Sequence, residues 1–350
     1  MKAVRVETGR PYDILIERGL IKKCGEIIKG ITKAVRIAVI TDSNVSPIYS
    51  ETVKTSLKEA GFAVTVFAFE AGEQSKGIET ICHMYDCLAD NNFTRQDMIV
   101  ALGGGVTGDM AGFAAATYLR GIEFVQIPTS LLAQVDSSVG GKTGFDIKQG
   151  KNLVGAFWQP SLVIIDPDTI DTLPKHFVSD GMAEVIKYGC IKDKEFFNFL
   201  KNEDALENID EVIYKCVKIK RDVVSADEHE KGERMLLNFG HTLGHALEKL
   251  GDFKTLSHGE AVAIGMVMMT AASEKAGLTK GGTCKKIAKV CRKYGLPIEN
   301  PEKSQNIALA ALNDKKSSGN SINLVLISEI GKSFVKKIPH EELAEFIKVD

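Results

Sequence analysis

The sequence lacks the charge excess that marks several large classes of protein. Its 44 lysine and arginine residues nearly balance its 46 aspartate and glutamate residues, which leaves a formal net charge of −2. A nucleic-acid-binding domain usually carries a basic excess, and a disordered chain combines low hydrophobicity with a large net charge. With 44% hydrophobic residues the chain fits neither class, and a globular protein is expected.

Cysteine pairs and long apolar runs are also missing. The seven cysteines form no CxxC pair and are odd in number, which argues against a disulfide framework or a thiolate zinc site. The longest mostly apolar stretch, Ala261 to Ala272, is far shorter than the roughly 18 residues of a membrane span. The first residues alternate apolar and charged side chains, so no signal peptide is expected. We therefore expect a reduced, cytoplasmic protein.

The first half of the sequence predicts an α/β domain. Residues 1–17 predict a β-hairpin, and β-branched apolar runs follow, separated by helical patterns or glycine-rich loops. Such alternation predicts βαβ units around a mostly parallel sheet. The runs are RIAVITD (36–42), AVTVFAF (63–69), DMIVALGGG (97–105), EFVQIPT (123–129) and LVIIDP (162–167).

The second half has a different pattern, and the change falls near Pro174. Apolar residues there recur at three- and four-residue spacing, which predicts helices. INLVLISEIGKSFVKKI near the end is an exception and predicts a small hairpin. The predicted fold class is an α/β N-terminal Rossmann-like domain with a mostly parallel sheet, residues 1–174, followed by a mostly α-helical C-terminal domain, residues 175–350.

The segment LGGGVTGD (102–109) lies between an apolar run and a helical pattern. Gly103, Gly105 and Gly108 match G-x-G-x-x-G, so backbone amides there could hold a pyrophosphate at a helix N-terminus. A tight turn that merely needs glycine explains the pattern equally well. The acidic residue that usually follows about 20 positions later is not obvious. Asp42 and Asn44, after an earlier strand, offer hydrogen bonds to a ribose instead.

A long polar segment follows, IPTSLLAQVDSSVGGKTGFD (127–146) and then GKNLVGAF (150–157). It contains no long amphipathic pattern, and polar, glycine-rich connections of this length tend to be functional. Asp136, Lys142, Lys151 and Asn152 offer donors for an anion and acceptors for hydroxyl groups. The alternative is a solvated loop with ordinary surface charges.

Histidines cluster in the second half. Three of the seven histidines fall within 18 residues: His241 and His245 in LNFGHTLGHALE, and His258 in LSHGEAVAIGM. The first two share a helix face, and the third begins the next helix, so the group could converge on a metal ion. The alternative is a set of core histidines. The glutamate of the HExxH zinc-protease motif is missing.

A catalytic zinc ion commonly has a carboxylate among its three protein ligands, and Glu184 is a candidate. It lies in DGMAEVIKYG, interpreted as a helix start with Asp180 in the capping region. Lys187 is three residues further on and shares the same helix face. Taken alone, Glu184 and Lys187 would be interpreted as a surface ion pair.

Taken together, these motifs resemble one family. They run in order through TDSNV, GEQSK, GGGVTGDMAGF, PTSLLAQVDSSVGGKTG, GKNLVG, MAEVIKYG, DEHEKGERMLLNFGHTLGHA, HGEAVAIGM and DKK. The sequence resembles the 3-dehydroquinate synthase family of the shikimate pathway along most of its length. The resemblance implies an NAD-binding N-terminal domain, a helical domain with most metal and substrate groups, a site between them, and a cytoplasmic homodimer.

The resemblance also implies a role for individual residues. Zn²⁺, or Co²⁺, would be held by Glu184, His241 and His258, whereas His245 would contact the substrate phosphate. The residues implied for NAD are Asp42, Asn44, Glu73, Lys76, Gly103, Gly104, Gly105, Asp109, Thr129, Ser130, Leu132, Asp136, Lys142, Lys151, Thr172 and Leu173. At the substrate carboxylate, the resemblance implies Arg234 and Lys220. At the phosphate, it implies Lys142, Asn238, His245, Lys315 or Lys316, and Arg120 of the other subunit. At the hydroxyl groups, it implies Asp136, Asn152 and Lys187.

The implied activity is that of a phosphorus–oxygen lyase. 3-Deoxy-D-arabino-heptulosonate 7-phosphate would become 3-dehydroquinate and phosphate through transient NAD-dependent oxidation at C5, phosphate elimination, re-reduction, ring opening and aldol closure. One alternative is another sugar-phosphate cyclase, whose substrate would lack the carboxylate that Arg234 and Lys220 bind. The other is a polyol or glycerol-phosphate dehydrogenase with the same domain plan.

Overall fold

The structure is a computed structural model and describes residues 1–300, 302–312 and 320–348. The strands are β1 (Lys2–Val6), β2 (Tyr12–Ile16), β3 (Arg36–Asp42), β4 (Ala63–Phe69), β5 (Met98–Gly103), β6 (Glu123–Pro128), β7 (Lys142–Ile147), β8 (Gly150–Phe157), β9 (Leu162–Ile165), β10 (Ser321–Glu329) and β11 (Lys332–Pro339). The helices are α1 (Cys24–Lys29), α2 (Glu51–Glu59), α3 (Ile78–Asp90), α4 (Gly105–Thr117), α5 (Lys175–Ile191), α6 (Lys194–Asn202), α7 (Ile209–Ala226), α8 (His241–Leu250), α9 (His258–Lys275), α10 (Thr283–Lys293), α11 (Ser304–Leu312) and α12 (Leu343–Phe346).

Seven of the strands form one sheet, in the order β1-β2-β9-β6-β5-β3-β4. β1 and β2 pair antiparallel, and every other neighbouring pair is parallel, which confirms the predicted mostly parallel sheet. The chain passes from β3 to β4 on one side and then to β5 on the other side of β3. The strand order therefore reverses between β3 and β5, and open α/β sheets bind ligands at the carboxyl ends of strands beside such a reversal.

Both faces of this sheet are covered. Ile37 and Val39 of β3 pack in one hydrophobic cluster with residues of α1 and α2, whereas Ala38 and Ile40 pack in another with residues of α3 and α4. Successive side chains of a strand point to opposite faces, so a strand buried on both faces must be continuously apolar. This is why the middle of β3, IAVI (37–40), is an unbroken apolar run in the sequence.

The polar segment 127–157 differs from the sequence expectation, which favours a long connection. It contains a helical turn at Ala133–Ser137 and then a hairpin of β7 and β8, paired antiparallel from Lys142 and Phe157 inward. Glycine and polar residues have low β-propensity, so the sequence pattern does not indicate these strands.

The chain packs as two units, each with its own contacts. The first comprises Met1–Pro174 and Cys216–His229, and the second Lys175–Lys215 and Glu230–Asp350. The later part of α7 therefore belongs to the first unit. The second unit is mostly helical, and the predicted hairpin near its end is β10 and β11. Across the part of the chain that the structure describes, no helix is long and apolar enough to span a bilayer.

Candidate functional site

Asp42 lies at the carboxyl end of β3, beside the reversal of strand order, and organises the loop that follows. Its Oδ1 accepts hydrogen bonds from the amides of Asn44 (2.9 Å) and Val45 (3.1 Å). Its Oδ2 accepts one from the Thr107 hydroxyl at 3.1 Å, which links β3 to α4. Asp42 is buried, and the Asn44 side chain is exposed. The loop thus presents Asn44 at the sheet edge where a nucleotide would bind.

The glycine-rich segment follows β5 at the same edge. α4 begins at Gly105, so its first amides have no partner within the helix and suit an anion. A Cβ atom added to Gly104 would lie 3.4 Å from Ser130 Oγ, an ordinary van der Waals distance. Gly103 accepts a backbone hydrogen bond from Thr129 at 3.0 Å. The structure therefore brings the glycines and the Thr129–Ser130 pair together, as a dinucleotide site requires.

A buried ammonium group connects the turn before α3 with α4 and the β7–β8 hairpin. Lys76 is 5% exposed, and its Nζ lies 2.7 Å from Asp109 Oδ2 and 2.7 Å from Asn152 Oδ1. Burial opposes the charge, but the Asp109 carboxylate beside it raises the pKa of Lys76 above its ordinary value. Lys151 and Glu73 form a second ion pair at 3.4 Å. Four of the expected NAD residues and one expected substrate residue therefore lie in two groups of polar contacts.

The remaining expected residues of the first unit lie on separate elements. Lys220, on α7, donates to the Asp136 carbonyl at 2.7 Å and pairs with its carboxylate at 2.8 Å. The Tyr49 and Thr172 hydroxyls are 2.6 Å apart. Lys142 is exposed at the start of β7, and Leu132 and Leu173 are half-buried. Arg120 is exposed in a turn with φ 69°, a left-handed conformation that costs a non-glycine residue about 1 kcal/mol or more.

In the second unit, α5, α8 and α9 bring three candidate metal ligands together. One donor atom from each of Glu184, His241 and His258 lies within 4.8 Å of the others. Glu184 Oε1 is 3.3 Å from His241 Nε2 and 3.5 Å from His258 Nε2. A Cβ atom on Gly265 would meet the Gly240 carbonyl at 2.1 Å, so the close crossing of α8 and α9 depends on glycine. That crossing is what places the two histidines side by side.

Glu184 has the properties of a metal ligand. Its side chain is fully buried, and neither carboxylate oxygen accepts a hydrogen bond. Such an oxygen is costly to bury unless a charged partner or a metal ion compensates it. Burial acts to raise its pKa, but Lys187, in ion-pair contact, and the His241 ring outweigh it and hold the pKa of Glu184 well below its ordinary value. The carboxylate is therefore ionised, as a ligand must be.

The two histidines differ in their electrostatic surroundings. Burial and the Lys187 charge lower the pKa of His241 to about 4, so its ring is neutral. Burial also opposes a charge on His258, but Glu184 and Glu248 raise its pKa to about 10. The two carboxylates thus favour a positive charge at this position, whether on a proton or on a metal ion.

Glu248 is a residue that the sequence interpretation missed. It is 3% exposed, and together with His245 and His258 it forms a second group of close donor atoms. The signal was present in the sequence, because His241, His245 and Glu248 follow at i, i+4 and i+7 and share one face of α8. The structure therefore offers two overlapping donor sets that share His258.

Other expected substrate residues of the second unit surround this cluster or lie near it in sequence. His245, Asn238 and His241 line a cavity of 290 Å³ whose opposite wall comes from β10, β11 and α11. The Asn238 amide donates to Glu230 at 2.7 Å. Arg234 is 2% exposed, and arginine is rarely buried to this extent. Lys315 and Lys316 lie outside the described residues.

Two sequence interpretations of α5 are wrong. Asp180 does not cap this helix, because α5 already begins at Lys175. Its carboxylate instead accepts hydrogen bonds from Ser257 Oγ (2.5 Å) and the Gly259 amide (2.6 Å) at the start of α9. The alternative of a surface ion pair also fails, since Glu184 and Lys187 are both buried. Helical spacing alone could not distinguish a buried pair from an exposed one.

Comparisons with known proteins agree with this architecture. A family model described as 3-dehydroquinate synthase N-terminal matches residues 66–180, and one described as 3-dehydroquinate synthase C-terminal matches residues 181–317. The 3-dehydroquinate synthase of Streptococcus thermophilus is 48% identical over 344 residues, which is 97% of each chain.

Two solved structures share the fold. A 2-deoxy-scyllo-inosose synthase complexed with carbaglucose-6-phosphate, NAD⁺ and Co²⁺ is 24% identical, with a TM-score of 0.88 over 99% of each chain. A 2-epi-5-epi-valiolone synthase from Streptomyces hygroscopicus with NAD⁺ and Zn²⁺ bound is 25% identical, with a TM-score of 0.87 over 99% of this chain and 98% of that one. From the family matches and the identity to the streptococcal enzyme, the chain belongs to the 3-dehydroquinate synthase family.

Proposed function

We propose that this chain converts 3-deoxy-D-arabino-heptulosonate 7-phosphate into 3-dehydroquinate and inorganic phosphate. The observation that carries the proposal is the buried group of Glu184, His241 and His258 in a member of the 3-dehydroquinate synthase family. A phosphorylated sugar is the class of substrate consistent with that family. The solved relatives hold NAD⁺ and Co²⁺ or Zn²⁺, and we propose the same cofactors here.

The residues fit both cofactors. When bound, NAD would supply a hydride acceptor and donor, and the divalent cation a Lewis acid at the substrate hydroxyl groups. We assign the cation to Glu184, His241 and His258, because the Nε2 atoms of both histidines face the fully buried Glu184 Oε1. The loops at the carboxyl ends of β3 and β5 would hold the dinucleotide through Asn44, the Gly103–Gly105 amides and Ser130.

The substrate would be recognised by its two anionic ends. We propose that Arg234 and Lys220 bind the carboxylate and that Lys187 contacts a hydroxyl group. Phosphate would meet Lys142, Asn238 and His245, together with Lys315 or Lys316. Several of these groups are already oriented: Glu230 holds the Asn238 amide, and the Asp136 carbonyl and carboxylate hold the Lys220 ammonium. Preorganised polar groups of this kind reduce the entropy that is lost when the substrate binds.

The assignment divides the work between the two packing units. Every residue proposed for NAD lies in the first unit, and every residue proposed for the cation lies in the second. This supports an NAD-binding domain of residues 1–174 and a metal- and substrate-binding domain of residues 175–350. Lys220 departs from that division, because it lies on the part of α7 that packs with the first unit.

We further propose a cytoplasmic homodimer in which Arg120 of a second copy reaches the phosphate. The exposed, left-handed turn at Arg120 is the kind of strained conformation that persists at functional sites. All seven cysteines are free thiols, which suits a reducing compartment. Sedimentation at micromolar concentration tests the dimer, and mixing inactive Arg120→Ala with inactive His258→Ala subunits tests the sharing of sites, since mixed dimers would regain activity.

The decisive experiment is phosphate release from the heptulosonate phosphate, with and without a chelator. Release that requires metal and leaves no net NADH absorbance at 340 nm supports the synthase. Net NADH formation from a polyol would indicate a dehydrogenase instead. Equal turnover of sedoheptulose 7-phosphate or glucose 6-phosphate, which lack the carboxylate, would indicate another cyclase.

A further inference from the structure

Glu248 is a buried carboxylate to which the proposed reaction assigns no role. Its side chain is 3% exposed on α8, at the crossing with α9. Burying a carboxylate is costly unless it faces a positive or hydrogen-bonding partner. One partner that Glu248 faces is His258, whose Nδ1 lies 3.6 Å from Glu248 Oε2.

The two candidate histidine ligands share one arrangement. Each directs Nε2 toward Glu184 Oε1, at 3.3 Å for His241 and 3.5 Å for His258. Each directs Nδ1 toward a different acceptor: His241 toward the Phe239 carbonyl at 3.2 Å, and His258 toward Glu248. A histidine that binds a metal through one nitrogen almost always donates its other N–H to a carboxylate or carbonyl, which sets the tautomer and the ring orientation.

The backbone of His258 is held independently of Glu248. Ser257 and Glu260 form a capping box at the start of α9, and Asp180 accepts hydrogen bonds from Ser257 Oγ and the Gly259 amide. A Cβ atom on Gly259 would meet the Asp180 carbonyl at 2.2 Å, so α5 and α9 are in close contact here. With the backbone fixed, the orientation of the His258 ring depends on what its Nδ1 contacts.

We propose that Glu248 is a positioning residue that accepts the Nδ1–H of His258 and thereby presents Nε2 to a divalent cation shared with Glu184 and His241. The inference rests on the proposed function only in requiring a cation at this group. The competing arrangement is the set of His245, Glu248 and His258, in which Glu248 would itself be a ligand. The first arrangement is favoured because the Nε2 atoms of both histidines face the same buried oxygen, Glu184 Oε1, at 3.3 and 3.5 Å.

The test measures Zn²⁺ affinity without substrate. Metal-free protein competes with a chromophoric chelator for Zn²⁺ alone, and Co²⁺ loading reports the coordination geometry through its visible absorption. We expect Zn²⁺ to bind about 10-fold more weakly to Glu248→Gln and about 100-fold more weakly to Glu248→Ala, because glutamine still offers an acceptor. Glu274→Gln is the matched control on α9: the Glu274 carboxylate accepts a hydrogen bond from the Cys284 amide at 2.6 Å and belongs to neither donor group, so the affinity should not change.

Two results would overturn the inference. One is a parental Zn²⁺ affinity in both Glu248 variants. The other is complete loss of Zn²⁺ binding in both Glu248 variants while Glu184→Ala still binds, which would make Glu248 the ligand. If Glu248→Ala does not fold, as judged by circular dichroism, the Glu248→Gln affinity and Co²⁺ spectrum decide. Failure of phosphate release would refute the proposed function and leave this measurement valid.

Discussion

The first unit places its candidate ribose and pyrophosphate groups in loops at the ends of strands, whereas the second places its candidate metal ligands on buried faces of helices. At the edge of the sheet, the proposed NAD contacts come from amides and small side chains, and Asn44 is exposed. On α5, α8 and α9, ionisable side chains are enclosed, and Glu184 and Lys187 are buried. A dinucleotide needs a shallow surface of donors, but a catalytic cation needs a few charged ligands held away from water. The two regions should therefore respond differently to substitution.

The largest difference between the two units is expected for His258→Ala, which should abolish metal binding and leave NAD binding intact. Loss of one of three ligands should remove the bound metal and lower phosphate release by at least about 10³-fold, because a Lewis acid contributes several kcal/mol. NAD affinity should stay the same, since the residues proposed for NAD lie in the first unit. Metal analysis, phosphate release and an NAD titration check this. His83→Ala, at an exposed histidine, is the control, and unchanged zinc content in His258→Ala contradicts the ligand assignment.

A smaller effect is expected for Arg234→Ala, in the second unit. Removal of one charge of a buried hydrogen-bonded pair costs about 3 kcal/mol, or roughly 100-fold in kcat/KM, mostly through KM. Inorganic phosphate should inhibit as before, because the carboxylate end alone is affected. Arg234 is 2% exposed, so thermal unfolding must accompany the kinetics to exclude a general loss of folding. An unchanged KM would remove Arg234 from the carboxylate site.

Gly104→Ala tests the first unit and should weaken NAD binding without changing metal binding, the reverse of His258→Ala. Its φ of −76° suits alanine, and the added Cβ would meet nothing closer than 3.4 Å, so stability should be retained. A pyrophosphate that approaches the backbone would meet the methyl group, and we expect NAD to bind about 10-fold more weakly. Metal content should not change. Gly281→Ala, where a Cβ has no neighbour within 4 Å, is the control, and parental NAD affinity in Gly104→Ala would favour the plain tight turn.

The smallest effect on ligand binding is expected at Asp97, which lies just before β5 and contributes to stability alone. Burial raises its pKa, but the amides of Thr94 and Arg36, at 2.8 and 2.9 Å, outweigh it and lower the pKa below the ordinary 3.8. A lowered pKa stabilises the folded protein above the ordinary value and loses this effect as the pH falls through the folded value. Asp97→Asn should therefore cost about 1–2 kcal/mol at neutral pH and less near about pH 3.

Urea unfolding at the two pH values measures the change in Asp97→Asn. NAD affinity should remain parental, because ligands of such a sheet bind at the carboxyl ends of strands. A pH-independent loss of stability would mean that packing, and not the charge, accounts for the effect.

Regular patterns made the fold predictable. The strands β3 and β4 agree with the predicted runs residue for residue, and both terminal hairpins are confirmed. The β7–β8 hairpin was not predicted, because glycine and polar residues conceal a strand that is not continuously apolar. The helix start at Lys175 was missed for a related reason, since Asp180 resembles a cap in sequence but serves a different helix.

The sequence by itself determined which residue types are available. These are the apolar runs of the strands in the first half, the three- and four-residue apolar spacing of the helices in the second half, the glycines before a helix, and three histidines with a nearby glutamate. Only the tertiary structure decided which of them meet. Glu184 and His258 are 74 residues apart, and their 3.5 Å approach depends on how α5 and α9 pack. Glu248 likewise became visible only through its burial beside His258. Local periods specify which face of a helix is apolar, but the neighbour of that face is set by contacts that no local pattern encodes.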